Sequence, residues 1–404
     1  MAAMTQPLRS STDTPLAEPS APEPSAPEPE APKQDTFGVY IHVPFCASRC
    51  GYCDFNTYTP TEVDTSHATY LDALEKELEL AATQKLPKAD TVFIGGGTPS
   101  LLGADGLGRI LTAIKNTIGI NPNAEVTTES NPESTSPEYF EGLLRHGFTR
   151  VSLGMQSAST PVLRVLDRRH TPGRATQAAR EAHAAGFAHI NLDMIYGTPT
   201  ETDDDVRATL DAVLDTPVDH VSAYSLIVED GTAMARKIRR GELPEPDEDT
   251  YATRYELIAD TLEKSGFDWY EVSNWAKPGG ECRHNLLYWT GGNWWGAGPG
   301  AHSTINHTRF HNVKRPERYA AMLAGGTLPI AETEELTADI LHFEDIMLGL
   351  RLKQGVPSGW VNGDVDKHVR NGLLAKGERI AVTDKGRLLI DGIITDLLAS
   401  EDAE

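Results

Sequence analysis

Cysteine is scarce in this chain: there are four in 404 residues, and three of them fall inside one eight-residue window. Such a distribution argues against a disulfide framework, which needs spaced partners and an oxidising compartment, and points to thiols that act together. Long apolar runs are missing too. No stretch of about 18 apolar residues is present to span a bilayer, and no basic segment followed by an apolar one opens the chain. Neither a transmembrane segment nor a secretory signal is therefore expected, and a cytoplasmic location is. Positive charge is also short. Against 59 Asp and Glu stand 36 Lys and Arg, a formal charge of -23, which excludes nucleic acid as an expected partner because phosphate binding draws on a Lys/Arg surplus. Solubility accounts for the acidity. Finally, residues 1–36 hold almost no bulky apolar side chains. Pro, Ala, Ser and Glu alternate there and cannot bury enough surface to offset the entropy of ordering, so a disordered tail is expected.

From Val39 onward the pattern changes. A β-rich run over 39–44 is followed by a helical stretch over 67–83, and the alternation then repeats. Strands are expected at 91–94, 125–128, 150–153, 189–193, 220–226 and 269–272, with helices at 107–118, 137–146, 160–166, 173–185, 203–214 and 248–264. Strands alternating with helices at this spacing predict a parallel α/β sheet, open or closed into a barrel. In a barrel, chemistry sits in the loops at the C-terminal ends of strands.

The cysteines occupy such a position. Cys46, Cys50 and Cys53 follow the first strand in a C-x-x-x-C-x-x-C spacing. Cubane clusters are commonly held by four thiolates, so three without a neighbouring fourth predict a cluster with one iron open to chelation. A disulfide with a spare thiol, or a zinc site with a distant fourth ligand, are the plainer readings.

Other strand ends carry polar residues. Gly95-Gly96-Gly97-Thr98-Pro99 follows the second strand, where missing β-carbons let a ligand approach backbone amides; a plain turn is the alternative. Glu129 ends the third strand and suits ribose hydroxyls. Gln156, after the fourth, both donates and accepts, and Arg168 offers a planar fork for a carboxylate. Asp193 lies inside an apolar fifth strand, where burial requires a partner.

The cysteine motif, the preceding Tyr40-Ile41-His42-Val43-Pro44-Phe45 and the glycine loop together resemble the radical S-adenosylmethionine superfamily. The resemblance implies a partial parallel (β/α)6-type TIM barrel. It also implies a 4Fe-4S cluster whose open iron binds S-adenosylmethionine and, by electron transfer, yields a deoxyadenosyl radical. Within the superfamily, the placing of Tyr40, Gly96, Gly97, Thr98, Glu129, Gln156, Arg168 and Asp193 is similar to the oxygen-independent coproporphyrinogen III oxidase branch, where matching positions bind S-adenosylmethionine. Two features depart from the oxidases. They carry a fourth cysteine two residues after the third, where this chain has Phe55, and a longer folded segment before the barrel.

Between residues 274 and 330 the composition shifts to glycine, histidine and tryptophan: five of six Trp lie between Trp269 and Trp295. Here His284-Asn285-Leu286-Leu287-Tyr288-Trp289 resembles the H-N-x-x-Y-W signature of HemW-type heme chaperones. By that resemblance His284, Asn285, Tyr288 and Trp289 would contact heme, a neutral imidazole being a competent iron ligand. A satisfied loop or core histidine is the alternative. Cys282 is either a second ligand or a small buried hydrophobe. Residues 331–404 read as a small C-terminal winged-helix-like domain, after a barrel core over 37–273 and a heme-binding region over 274–330. The functional expectation is a heme chaperone that passes heme to acceptor proteins; a coproporphyrinogen III oxidase is the alternative. Peripheral membrane association and a homodimer are both compatible with this reading.

Overall fold

A computed structural model describes residues 36–168 and 171–401. The expected tail therefore lies, Thr36 apart, outside the described residues. Six parallel strands form the centre: β1 (Phe37–Val43), β2 (Ala89–Gly96), β3 (Ile120–Ser130), β4 (Arg150–Gln156), β5 (His189–Tyr196) and β6 (His220–Ser225). Helices α1 (His67–Ala82), α2 (Gly103–Asn116), α3 (Pro137–His146), α4 (Thr160–Val165), α5 (Arg174–Ala185) and α6 (Asp203–Leu214) fall between them. After β6 come α7 (Ala233–Arg239), α8 (Glu248–Lys264), β7 (Asp268–Glu271), β8 (Asn274–Ala276) and α9 (Arg283–Trp289). Then follow β9 (Asn293–Ala297), β10 (His302–Ile305), β11 (Thr308–Asn312), α10 (Pro316–Ala324) and β12 (Ile330–Glu335).

All twelve strands join one sheet in the order β12-β11-β10-β9-β1-β2-β3-β4-β5-β6-β8-β7. The partial parallel barrel is thus extended at both edges. The aromatic stretch expected to stand apart from the barrel supplies β8 to β11, the start of the expected C-terminal domain supplies most of β12, and β9 runs parallel to β1. Strands β8 to β12 are three to six residues long and lack the alternation that marks a strand in sequence.

The sheet's outer face is the core. Val39, Ile41, Val92, Ile94, Val151, Leu153, Ile190, Leu192 and Val221 are fully buried beneath the helices, and each large aliphatic side chain removed from water contributes on the order of 1.5–3 kcal/mol. Local signals agree with this packing. Helix α3 starts on Ser136, whose hydroxyl accepts from Tyr139 N–H, has Pro137 in its first turn, and ends on Gly147 at φ 100°. Helix α6 carries a capping box between Thr202 and Asp205. At the C-terminal end of the sequence α11 (Ala338–Gly349), β13 (Val356–Pro357), α12 (Val365–Arg370), β14 (Leu374–Lys376), β15 (Arg379–Val382) and α13 (Ile390–Glu401) build a small unit around a three-stranded antiparallel sheet. Arg387 joins it to the barrel, its guanidinium 4.3 Å from the Trp269 ring centroid and 2.6 Å from Glu263.

Helix α1 is locked to the β9–α10 region by Glu77. This carboxylate is completely buried and accepts from Gly298 N–H at 2.8 Å, from Asn312 Nδ2 at 2.7 Å and from the Tyr319 hydroxyl. Burial outweighs these three donors and pushes its pKa up to about 7.

Candidate functional site

Register brings the first two loops side by side. Val43 pairs with Gly96 at the C-terminal ends of β1 and β2, so the cysteine loop and the glycine loop leave the sheet together. They are then bonded to each other: Gly97 N–H donates to Val43 O at 2.8 Å and Thr98 N–H to Phe45 O at 2.7 Å. A β-carbon at Gly97 would stand 2.5 Å from Phe45 O, so only glycine permits this approach. Gly96 has φ 111°, and its N–H donates to Glu129 Oε2 at 3.0 Å.

Around these loops opens a cleft of about 750 Å³. Cys46, Cys50 and Cys53 line it, as do Gly96, Gly97, Thr98, Glu129, Gln156, Arg168 and Asp193. Ten of the eleven expected cluster and cofactor positions thus share one cleft. The eleventh, Tyr40, sits below it, where its hydroxyl meets His42 Nδ1 at 3.1 Å. Arg168 Nη1 lies 3.5 Å from Cys50 Sγ and Nη2 3.3 Å from Gly154 O. Thr98 Oγ1 is 3.7 Å from Cys46 Sγ. Gln156 takes φ 68°, unusual for a residue with a side chain, at a break in the β4–β5 register. Burial raises the Cys46 and Cys53 thiols. It also pushes Glu129 up to about 8, with the neighbouring Asp193 charge adding to the effect.

Beneath the cleft the lumen narrows to a polar cavity of about 200 Å³ that shares Glu129, Asp193 and Tyr224 with it. Asn191 organises this space. Its amide donates to Asp193 Oδ1 at 2.6 Å, Ser152 Oγ at 2.8 Å and Ser222 Oγ at 3.0 Å. Its carbonyl accepts from His220 Nδ1 at 2.7 Å, and His220 Nε2 meets the Tyr270 hydroxyl at 2.7 Å. Burial keeps His220 neutral, well below the ordinary imidazole range. Ser152, Asn191, Ser222 and His220 were not expected from the sequence. The signal that marks them is a polar residue at every second position of otherwise apolar strands, as in Arg150-Val151-Ser152-Leu153.

Helix α9 closes the lumen floor. Glu125 accepts from His284 N–H at 3.0 Å and Arg283 N–H at 3.1 Å, and it pairs with buried Arg150 at 3.4 Å. His284 is fully buried. Its Nδ1 is 2.8 Å from Thr91 Oγ1, its Nε2 is 2.9 Å from the Tyr288 hydroxyl, and its ring stacks on Phe93. Burial lowers its pKa to about 4, so the neutral ring spends one nitrogen as donor and the other as acceptor. In this arrangement both ring nitrogens of His284, the expected heme ligand, are bonded, and the cavity it borders measures about 200 Å³. Asn285 and Tyr288 line that same cavity, whereas Trp289 packs beside Leu286, Tyr270 and Leu352. Cys282 is buried, with Glu125 Oε1 3.5 Å from its sulfur.

Residues 40–213 match the Radical SAM superfamily model. Over 370 residues the chain is 55% identical to "Heme chaperone HemW" of Mycobacterium tuberculosis, covering 90% of this chain and 95% of that protein. It is 36% identical to the Lactococcus lactis protein of the same name, covering 78% and 82%. Among solved structures, coproporphyrinogen III oxidase (HemN) from Escherichia coli superposes with a TM-score of 0.77 at 24% identity, covering 90% of each chain, which shows a shared fold. The chain belongs to the radical SAM superfamily and, within it, to the HemW family.

The superfamily implies a 4Fe-4S cluster and S-adenosylmethionine, and the residues present fit both. Three thiols line one wall of the cleft, Arg168 approaches one of them, and the glycine loop brings bare backbone to the same wall. Among the described residues no three metal-binding side chains converge on a single ion position. A cubane asks for no such convergence, since each thiolate takes a different iron.

Proposed function

We propose that the protein binds heme and passes it to acceptor proteins, as a chaperone built on a radical SAM core. The observation that carries this reading is 55% identity over nearly the whole chain to a protein named heme chaperone. Phe55 in place of the oxidases' fourth cysteine supports it further. Cys46, Cys50 and Cys53 would hold the cluster. Gly96, Gly97 and Thr98 would receive S-adenosylmethionine along the backbone, with Glu129, Gln156, Arg168 and Asp193 around it and Tyr40 supporting His42 from below. When bound, that pair supplies one-electron cleavage of a carbon–sulfur bond. The chain's own part is positional. Arg168 holds positive charge beside the thiolates, Asn191 and Ser152 fix the Asp193 carboxyl, and the mutual bonding of the two loops keeps their spacing.

An oxidase reading makes a different demand, since it requires turnover. The deciding experiment incubates anaerobically reconstituted protein with reductant, S-adenosylmethionine and coproporphyrinogen III, alongside a hemin titration and transfer to an apo-hemoprotein. Saturable hemin binding and transfer without protoporphyrinogen formation are expected; sustained protoporphyrinogen formation would refute a pure chaperone.

A further inference from the structure

Resting on the heme reading and its cofactor site, we propose that Asn191, His220 and Tyr270 are positioning residues that couple the Asp193 side of the upper cleft to the heme motif on α9, so that the two sites bind their ligands in a linked way. Asn191 and His220 are register partners on β5 and β6, and Tyr270 stands on β7. All three are buried. They form one unbroken chain. Asn191 Nδ2 donates to Asp193 Oδ1 at 2.6 Å, Asn191 Oδ1 meets His220 Nδ1 at 2.7 Å, His220 Nε2 meets the Tyr270 hydroxyl at 2.7 Å, and Cys282 N–H donates to that hydroxyl at 3.3 Å. Cys282 is the N-cap of α9, two residues before His284, and Tyr270 clusters with Leu286 and Trp289 of the same helix.

The direction of every bond in the chain is forced. A carboxylate accepts only, so the amide nitrogen of Asn191 faces Asp193 and its oxygen faces His220. An amide oxygen also accepts only, so Nδ1 carries the ring proton. Burial keeps His220 neutral, which leaves Nε2 bare to accept from the Tyr270 hydroxyl, and the phenolic oxygen in turn takes the Cys282 N–H. The chain thus runs in one sense from the start of α9 to the Asp193 carboxylate, and bonds so aligned polarise one another. When Asp193 accepts from a donor in the upper cleft it holds Asn191 less strongly, and each bond behind it weakens, down to the Cys282 anchor. His284 turns a nitrogen to iron only by releasing Thr91 or Tyr288, a move that a loosened α9 favours. Cofactor occupancy should therefore tighten heme binding, and by reciprocity heme should tighten cofactor binding by the same factor.

The test is a hemin titration of the full-length, cluster-reconstituted protein, followed by absorbance, with and without saturating S-adenosylmethionine and without reductant, so that the cofactor stays whole. Circular dichroism and iron and sulfide content check each variant. For the parent, the hemin dissociation constant should fall about five-fold or more when the cofactor is added. Tyr270→Phe removes the hydroxyl alone and should bind hemin alike in both conditions, close to the parent with cofactor. His220→Leu breaks the chain one link nearer Asp193 and should behave the same way, whereas His220→Gln keeps one donor and one acceptor and should retain the parent's ratio. A merely structural role for these side chains would change hemin affinity by one factor in both conditions and leave that ratio intact. A parent ratio within about two-fold of unity, or an unchanged ratio in Tyr270→Phe and His220→Leu, would overturn the proposal while the heme reading stands. No saturable hemin binding by the parent would overturn both.

Discussion

Replacing His284 by alanine should cost stability, whatever it does to hemin binding. The ring is fully buried, bonded through both nitrogens at 2.8 and 2.9 Å and stacked on Phe93 with centroids 5.3 Å apart. Two buried hydrogen bonds contribute roughly 1 kcal/mol each. Deleting a packed ring adds a cavity penalty, and together they give about 3–4 kcal/mol, at the lower end of the aromatic-to-alanine range. At roughly 2.1 cal/mol/K of unfolding entropy per residue, a chain of this size loses about 4–5 °C in Tm. Thermal unfolding monitored by circular dichroism, beside hemin titration of the same sample, reads both quantities. An unchanged Tm would refute the reasoning, because it would mean that the ring's bonds to Thr91 and Tyr288 are not holding it.

Two further substitutions probe the loops and the Glu77 lock. Gly97→Ala places a β-carbon 2.5 Å from Phe45 O and 3.0 Å from Val43 O, both backbone. The two loops must part, at about 1–3 kcal/mol; iron content after reconstitution should fall, while Gly359→Ala, whose β-carbon meets open space, should reconstitute fully. Glu77 ionises near 4.5 when unfolded and at about 7 when buried. The fold therefore favours its protonated form, and the associated stability is full below 4.5 and lost as pH rises to 7, by about 3 kcal/mol. Glu77→Gln should flatten that decline in urea midpoints taken from pH 5 to pH 8, and parallel curves for the two proteins would contradict the assignment. The buried Glu129, Glu201 and Glu271 shift in the same direction, so the comparison between proteins isolates Glu77.

Much of the barrel was legible because its strands are buried on one face and punctuated by helices with ordinary caps. The strand-end position of Cys46, Gly96, Glu129 and Gln156 followed from that alternation alone, whereas Asp193 lies inside β5, three residues before its end. What escaped the sequence depends on distant neighbours. His284 reads as a ligand by its motif, yet its environment is set by Thr91, 193 positions away. Strands β8 to β12 are too short to show a period, and β9 becomes a strand by pairing with β1. Tyr40 alternates with the buried Val39 and Ile41, so it faces the lumen, but the depth at which it sits is set by the strand's stagger.

Strand β1, the first among the described residues, is among the last to be completed. Strand β1 is paired on both sides, with β2 and with β9, and the cysteine loop is further tied by Asn56 Nδ2 to Pro299 O at 2.9 Å and Lys314 O at 3.0 Å. Glu77 waits longer still, for Tyr319. Pairings across such sequence separations form late, since closing so long a loop must precede any contact that rewards it. During synthesis the three thiols therefore emerge early on a strand with one open edge and stay exposed to oxidants until roughly three-quarters of the chain exists. A truncated product ending before β9 would carry the thiols without the wall that holds their loop.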